Sequence, residues 1–419
     1  MNVPPAGDGC HDRVLVFSVV GSAAVRPLFD VPAVEAEPGG LSDVFDYVRT
    51  HPHAALRPLA PEHGAPSKRG DNWTLALPND SPSRRLSTVY FLTAETAEDA
   101  TRLAALLRGD RVRVDYVHFA AAASSLPIEV NPSLAGPDHS WALTCCGFID
   151  TWPELDAGPM AKPVALLDDG SKSQHPALGD RIIKYVSPTA GGESTSTHAG
   201  AVCAVLGAER HNDTVNGMAG CCSARMELFN LWNDNADFDC IGYYDALKQA
   251  AHDVVTVINM SFGCRAADPT TDLLFDLCIK AGIVLVAAVA KAGDDRVHPA
   301  IHPSVIAVGA TGQTDEPTGA FNAAGRLWIC APGTKIWSVH GSEYKYQDGT
   351  SLAAPMVSAA AWLAKRWDSS LTPGDVRTLL ACSTVSATPG ERTDAIGYGR
   401  LDVRKLATQL GQRPRPVVG

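Results

Sequence analysis

The chain has 419 residues, enough for two or three domains, and 45 % of them are apolar, which is ample for a large core. A net charge of −11 without a basic stripe argues against a nucleic-acid-binding protein. No stretch reaches the roughly 18 uninterrupted apolar residues of a membrane-spanning helix. Neither a nucleic acid nor a membrane is therefore expected as a partner.

The apolar stretch at residues 14–25 could be the core of a signal peptide or a β-strand. Asp8, His11 and Asp12 precede it, and only Arg13 supplies a positive charge, which makes a poor start for an export signal. We interpret the stretch as a strand. This predicts a cytoplasmic protein, with secretion as the alternative.

Eleven cysteines are spread along the chain, an odd number that includes two adjacent pairs but no Cys-x-x-Cys spacing. An odd count without a convincing export signal favours reduced, mostly buried thiols over a disulfide framework. Structural zinc is not expected, because its ligands usually come in such closely spaced pairs.

Residues 1–135 are predicted to form a small α+β region, with a Pro-, Gly- and Ser-rich loop at 59–87 that contains the basic pair Arg84-Arg85. Its residue patterns indicate two strands, a helix and a further strand, in that order, at residues 13–20, 88–95, 98–108 and 111–119.

Residues 164–170 read Val-Ala-Leu-Leu-Asp-Asp-Gly, an apolar run that ends in two carboxylates and a glycine. Uninterrupted apolar strands are typical of parallel sheets, whose carboxyl ends carry the ligand-binding groups. Asp168 at that end could hold an imidazole in one orientation. An aspartate in an ordinary strand-ending turn is the alternative.

His198 opens a predicted helix of small and apolar residues, and residues 194–197 (Ser-Thr-Ser-Thr) are candidate caps. On the first helical turn, its imidazole would project into the crevice at the edge of the sheet. A histidine that only caps or packs is the alternative.

Further apolar runs, separated by helical stretches, indicate more strands of the same sheet. The strands are predicted at residues 226–232, 254–263 and 283–289, and the helices at 243–251 and 270–281. Strands that alternate with helices imply a parallel sheet with right-handed crossovers.

Residues 348–355 read Asp-Gly-Thr-Ser-Leu-Ala-Ala-Pro and lead into a helix of small residues. Ser351 would lie in the first turn, with Pro355 in the same turn, where unpaired N–H groups and the helix dipole stabilise a developing oxyanion. An N-capped buried helix is the alternative. The presence of Asp168 and His198 upstream favours a nucleophile.

These motifs resemble those of the subtilisin-like serine proteases, the subtilase family. Residues 349–355 match the family signature Gly-Thr-Ser-x-Ala-x-Pro. Other matching segments are the substrate-binding strand, the Tyr-Pro-Ser-Val-Ile-x-Val-Gly segment and two later landmarks, at residues 257–263, 302–310, 331–333 and 397–401. The resemblance covers about residues 139–408.

The resemblance implies an α/β fold, a three-layer sandwich with a mostly parallel central sheet, over residues 136–410, followed by a tail at 411–419. It also implies that the strand–helix–strand unit before it is similar to the second half of an inhibitory pro-domain. The chain's own N-terminal region would then lie over or beside the active site, and self-cleavage is expected between about residues 120 and 137.

The resemblance further implies a serine endopeptidase that acts on a restricted peptide or protein substrate through an acyl-enzyme. Ser351 would be the nucleophile, His198 the general base and then acid, and Asp168 the residue that orients His198. The backbone N–H of Ser351 would donate to the oxyanion.

The substrate would bind as an added strand against Ser261, Phe262 and Gly263, held by backbone hydrogen bonds. Ala288 and Ala290 would line the specificity pocket. Because Ala290 stands where the family usually has glycine, we expect it to narrow the wall of that pocket.

Three positions depart from the family pattern. The histidine motif reads His198-Ala-Gly-Ala instead of His-Gly-Thr-His, which preserves the small helix face. Asp169 replaces the usual Ser or Thr, and its charge would raise the pKa of His198. Lys291 stands where the oxyanion-binding asparagine is usual, and loss of such a donor typically costs about 10²–10³ in turnover. Lys291 would either replace this donor or point into solvent.

Two other functions stay open. A subtilase-fold pseudoprotease could bind peptides with an impaired oxyanion hole, and a peptide-maturation transpeptidase could pass the acyl group to an amine. No cofactor is expected. Calcium is common in the family, but no Asp-rich loop here has a trustworthy ligand spacing, and no metal site is assigned.

Overall fold

The computed structural model describes most of the chain. The described residues are 13–19, 41–59, 89–110, 114–120, 123–130, 139–156, 162–170, 175–188, 192, 194–209, 220–265, 268–319, 321–322, 325–386 and 388–413. They form two compact units: Met1–Ala122 together with Asp268–Leu277, and Ala123–Ala267 together with Cys278–Gly419. The basic pair Arg84-Arg85 and nearly all of the predicted 59–87 loop lie outside the described residues.

The first unit contains a four-stranded antiparallel sheet in the order β2-β3-β1-β4. Its elements are β1 (Val14–Val19), α1 (Leu41–Thr50), β2 (Ala55–Pro58), β3 (Val89–Thr93), α2 (Ala97–Gly109) and β4 (Val114–Phe119). The predicted strands and the predicted helix are all present.

Helix α2 shows why this part of the chain folds locally. The hydroxyl of Thr96 caps the helix by accepting a hydrogen bond from the backbone N–H of Asp99 at 3.0 Å. Leu103 and Leu107 lie on one face and are buried with Phe17 of β1. The helix therefore contributes its apolar face to the core of this unit.

The second unit is built around a nine-stranded sheet in the order β19-β20-β16-β14-β12-β10-β7-β9-β8. Its strands are β5 (Ala123–Ser125), β6 (Glu129–Val130), β7 (Val164–Asp168), β8 (Ile182–Val186), β9 (Met226–Asn230), β10 (Val257–Met260), β11 (Phe262–Cys264), β12 (Val284–Ala288), β13 (Ala290–Lys291), β14 (Val305–Thr311), β15 (Phe321–Asn322), β16 (Ile329–Pro332), β17 (Ile336–His340), β18 (Glu343–Asp348), β19 (Thr384–Val385) and β20 (Arg400–Leu401).

Helices accompany these strands along the chain. They are α3 (Trp141–Cys146), α4 (Phe148–Leu155), α5 (His198–Gly207), α6 (Cys240–Asp253), α7 (Pro269–Lys280), α8 (Thr350–Trp367), α9 (Pro373–Cys382) and α10 (Val403–Gly411), with a 3₁₀ turn at Pro176–Leu178. The residues of α7 up to Leu277 belong to the first unit, and those from Cys278 belong to the second.

The nine-stranded sheet is parallel from β8 to β20, and only β19 runs antiparallel to its neighbour. Its central strands are buried throughout, as expected when helices cover both faces. The predicted α/β three-layer sandwich with a mostly parallel sheet is confirmed.

Helix α8 lies at the centre of this unit and is buried from Thr350 to Ala364. Its residues are mostly Ala, Ser and Leu, so it packs closely against α5 and against strands β10, β12, β14 and β16. The small side chains explain how one long helix is covered on all sides.

Candidate active site

Asp168 ends β7 at the edge of the sheet where parallel strands present their ligand-binding residues. Its carboxyl group is buried, and Oδ1 accepts a hydrogen bond from the backbone N–H of Asp169 at 2.8 Å. The buried Oδ2 has no hydrogen-bond partner among the described residues. The carboxyl group therefore relies on its contact with His198.

His198 is the first residue of α5, and its Nδ1 lies 2.5 Å from Oδ1 of Asp168. Gly170 lets the segment before this helix lie against the end of β7. Its φ is +137°, and a Cβ there would lie 2.5 Å from the carbonyl oxygen of Ser196. The end of β7 and the start of α5 thus lie close at the backbone, in addition to the contact between the side chains of Asp168 and His198.

Ser351 is the second residue of α8 and is fully buried. Pro355 is the sixth helical residue, so it lies beyond the first turn in which the sequence placed it. Because proline lacks an N–H, the carbonyl of Ser351 loses its usual helical donor. The hydroxyl of Ser261 donates to this carbonyl instead, at 3.2 Å.

A short chain of hydrogen bonds extends from that contact. The side-chain amide of Asn259 donates to Oγ of Ser261 at 3.1 Å, and the hydroxyl of Ser358 donates to Oδ1 of Asn259 at 2.9 Å. All three side chains are buried. The network fixes the helix that carries Ser351 to β10 and to the residue that follows it.

Burial and charge act in opposite directions on the two ionisable groups. Burial raises the pKa of Asp168 above its ordinary value, although the neighbouring His198 counteracts it. Burial lowers the pKa of His198, but Asp168, Asp169 and the carbonyl of Leu126 together outweigh burial and raise it above 6.5. Each shift favours the protonated form of its group relative to the same side chain in water.

His198 and Ser351 meet at the carbonyl oxygen of Leu126. Nε2 of His198 lies 2.9 Å from this oxygen, and the hydroxyl of Ser351 donates to it at 3.2 Å. A carbonyl and an ionised carboxylate only accept hydrogen bonds. With Asp168 ionised, both ring nitrogens of His198 therefore donate, and the ring carries both protons.

The residues before Leu126 lie against the predicted substrate-binding strand. Strand β5 pairs antiparallel with β11, with Ser125 opposite Phe262 and Ser124 opposite Gly263. The backbone N–H of Leu126 donates to the carbonyl of Ser261 at 3.4 Å. The sequence predicted that a substrate would pair with this strand, and in the structure residues 123–125 of the chain itself pair with it.

The residues after Leu126 pair with a second strand near Ser351. Strand β6 pairs antiparallel with β18, with Glu129 opposite Asp348. A Cβ on Gly349 would lie 2.9 Å from the carbonyl oxygen of Pro127, so the glycine lets the two backbones approach. Residues 123–130 therefore follow the path of one extended peptide past Ser351.

The side chain of Leu126 is buried in the same apolar cluster as Ala288 and Ala290. The expected pocket walls and the leucine thus belong to one core.

Lys291 ends β13, where it pairs with Phe321 of β15, and its side chain is exposed. The atoms that contact the carbonyl oxygen of Leu126 are Nε2 of His198 and Oγ of Ser351. Lys291 thus follows β12 in the separate short strand β13, and its role as an oxyanion donor stays a prediction.

Sequence reasoning missed two parts of the site. Leu126 lies in a stretch without any catalytic motif, and only tertiary pairing brings it to Ser351. Ser194 was identified as a candidate cap, but its hydroxyl donates to Oδ1 of Asp169 at 2.7 Å. A hydroxyl-rich stretch before the histidine was the only available signal.

The remaining expectations concern metals, thiols and membranes. In the described part of the chain, no three His, Cys, Asp or Glu side chains come together as candidate metal ligands. No disulfide joins the ten cysteines among the described residues. Within the same ranges, no helix combines the length and apolarity needed to cross a membrane.

Comparisons with known proteins show the family and the fold. Residues 162–399 match the model of the subtilase family. The thermophilic serine proteinase of Bacillus sp. (strain AK1) is 29 % identical over 241 residues, which is 56 % of this chain and 57 % of that protein. The major intracellular serine protease of Bacillus subtilis (strain 168) is 30 % identical over 218 residues, which is 49 % of this chain and 68 % of that protein.

Among solved structures, fervidolysin from Fervidobacterium pennivorans, described as a keratinolytic enzyme related to subtilisin, matches with a TM-score of 0.63 at 18 % identity. The match covers 97 % of this chain and 62 % of that one. At this identity the likeness concerns the fold. The chain spans little more than half the length of several of these relatives.

Proposed function

The chain belongs to the subtilase family, and on that premise we propose that it is a serine endopeptidase acting on an extended stretch of a restricted peptide or protein substrate. One observation carries the proposal: His198 bridges Asp168 and a peptide carbonyl that Ser351 also contacts. A nucleophile, a base and an orienting carboxylate around one peptide group are the components of acyl transfer.

The proposed reaction has two halves. Oγ of Ser351 forms a bond to the substrate carbonyl carbon while its proton passes to Nε2 of His198. The carbon–nitrogen bond of the tetrahedral intermediate then breaks, and the leaving amine takes that proton. Water repeats the sequence on the acyl-enzyme, releasing the acid and restoring Ser351. Asp168 stabilises the imidazolium in both halves.

The start of α8 supplies part of the oxyanion stabilisation. Backbone N–H groups in the first helical turn have no helical acceptor, and the dipole of α8 is positive at this end. We assign the backbone N–H of Ser351 as one donor, and we propose Lys291 as the second, because it stands where the family usually has the oxyanion-binding asparagine.

The substrate would replace residues 123–130 along the same path. Its residues before the cleaved bond would pair with β11, and an aliphatic side chain would enter the space that Leu126 occupies, with Ala288 and Ala290 as the proposed pocket walls. Binding through backbone pairing requires an extended chain, which favours flexible segments over folded domains.

We further propose that the described arrangement is a resting state. The carbonyl oxygen of Leu126 accepts hydrogen bonds from His198 and Ser351, so the base holds a proton and the nucleophile is engaged. Neither group can start the reaction until the segment shifts. The chain's own N-terminal region is thus the first partner of the site.

A fluorophosphonate probe tests the proposal, because it labels a serine only when a neighbouring base removes the hydroxyl proton. Full-length wild type and Ser351→Ala would be compared, with Leu126→Asp to displace the resting segment. We expect labelling of wild type, faster labelling of Leu126→Asp and none of Ser351→Ala.

Folded wild type and folded Leu126→Asp that both resist the probe would contradict the proposal and favour a peptide-binding pseudoprotease. Mass analysis of peptide products would separate hydrolysis from transfer to an added amine.

A further inference from the structure

A second buried carboxylate lies beside the triad and has no part in the reaction just described. Asp169 follows Asp168 at the end of β7, and its side chain is buried. Its Oδ1 accepts a hydrogen bond from the hydroxyl of Ser194 at 2.7 Å, and its backbone carbonyl accepts one from the N–H of Ala199 at 2.9 Å. Asp169 thus contacts residues on both sides of His198 in the sequence.

We propose that Asp169 is a positioning residue of the triad, which ties the segment before α5 to the end of β7 and sets a second negative charge beside His198. This inference rests on the proposed role of His198 as the base. It concerns a position where the family usually has a neutral hydroxyl residue.

The tether is continuous from the strand to the helix. The hydroxyl of Ser194, held by Asp169, accepts a hydrogen bond from the N–H of Ser196 at 3.2 Å. The hydroxyl of Ser196 in turn accepts one from the N–H of His198, also at 3.2 Å. A carboxylate is the strongest available acceptor for the first link of this chain. Asp169 therefore fixes where α5 begins and where its first side chain lies.

The charge acts on the same imidazole. Among the described groups that face His198, Asp168 and Asp169 at the end of β7 are the acids, and Ser351 of α8 is neutral. His340 of β17 contacts Thr197, with its Nδ1 3.3 Å from that hydroxyl. Burial raises the pKa of the Cys203 thiol on the same helix, and Asp168 adds to this increase, so the thiol stays protonated.

The net charge of the described groups that face His198 is therefore negative. A nearby negative charge stabilises imidazolium over imidazole, and a site shielded from water transmits it more strongly than bulk solvent would. The raised pKa of His198 agrees with this direction, with burial opposing and Asp168 and Asp169 both contributing. Asp169 would thus make His198 a stronger base while confining its neutral form to higher pH.

The test reads the imidazole directly and needs no turnover. Full-length protein labelled with ¹⁵N-histidine is titrated by NMR, and His198 is identified by the signal lost in His198→Gln. Asp169→Asn keeps the shape and the acceptor for Ser194 but removes the charge. We expect its His198 midpoint to fall by about one pH unit. Asp169→Ser, the hydroxyl usual in the family, should lower it similarly.

Two controls separate charge from contact. Ser194→Ala keeps the charge and removes the tether, so its midpoint should stay near that of wild type. Asp245→Asn removes one charge from the Lys248 pair on α6 and should shift nothing. A folded Asp169→Asn or Asp169→Ser with the wild-type midpoint would overturn the proposal, as would a shift of equal size in Ser194→Ala. Because no catalysis is measured, an inactive protein would contradict the proposed protease function without affecting this result.

Discussion

Nε2 of His198 lies 2.9 Å from the carbonyl oxygen of Leu126, 72 positions earlier in the chain. This contact links the base to a backbone group that the hydroxyl of Ser351 also approaches. On the proposed function, this contact would hold the site at rest through the chain that carries it.

Displacing Leu126 should release the site. In Leu126→Asp a carboxylate would have to enter an apolar cluster, which is unfavourable unless the group is paired. We expect the rate of fluorophosphonate labelling to rise at least about tenfold, since about 1.4 kcal/mol of lost docking free energy gives that factor. Leu126→Met, which preserves volume and polarity, is the matched control and should label like wild type. Equal rates for all three proteins would contradict the resting state.

Pro127 should protect the bond after Leu126. Its nitrogen belongs to a ring and carries no proton, and the ring limits how the leaving nitrogen can turn towards His198. We expect Pro127→Ala to be cut after Leu126 at a higher rate than wild type, which mass analysis of the purified chain would show. The double variant with Ser351→Ala should stay intact. Cleavage that persists in the double variant would indicate a contaminating protease.

Labelling should depend on pH in a direction set by His198. Its pKa in the resting arrangement lies above the ordinary value, so the resting state binds a proton more tightly than an open state does. The stabilisation of the resting state is present at low pH and is lost as pH rises through that pKa. Labelling should therefore increase with pH.

The labelling rate should increase more steeply with pH in wild type than in Leu126→Asp. In wild type, the proton on Nε2 of His198 both blocks the base and holds residues 123–130 in place. Rates measured across pH 5–9 would test this. A wild-type labelling rate that falls with pH over the lower half of this range would contradict the prediction.

Lys291 should matter to turnover if its ammonium reaches the oxyanion. Lys291→Met keeps the aliphatic stem and removes the donor, and we expect a loss of about 10²–10³ in kcat with little change in KM. Lys280→Met on α7 is the control for net charge. If Lys291→Met turns over like wild type, the exposed lysine does not serve the oxyanion.

Ala290 should limit the size of the side chain that enters the pocket. Ala290→Gly removes one buried methyl group and would make room for larger side chains. We expect kcat/KM for peptides with phenylalanine before the cleaved bond to rise about tenfold relative to leucine peptides, the usual effect of one methylene-sized change. An unchanged ratio would place the selectivity elsewhere.

Much of this protein follows from the sequence, because short motifs specify local structure. The apolar run before Asp168, the small residues after His198 and the turn before Ser351 each define an element and its chemistry. Their order along an alternating strand–helix pattern was enough for the α/β fold. Pro355 was placed one turn too early, because the residues do not reveal that α8 begins at Thr350.

The contacts between distant segments were decided by tertiary structure alone. Nothing in residues 123–130 marks them as a strand beside β11, since strand pairing depends on which edge is left open once the sheet has formed. The same holds for the hydroxyl of Ser261 that replaces the helical donor removed by Pro355. The sequence by itself identified Asp168, His198 and Ser351 as candidate residues of one site. Only the folded chain decided that Leu126 lies between them, because backbone hydrogen bonding does not depend on side-chain identity.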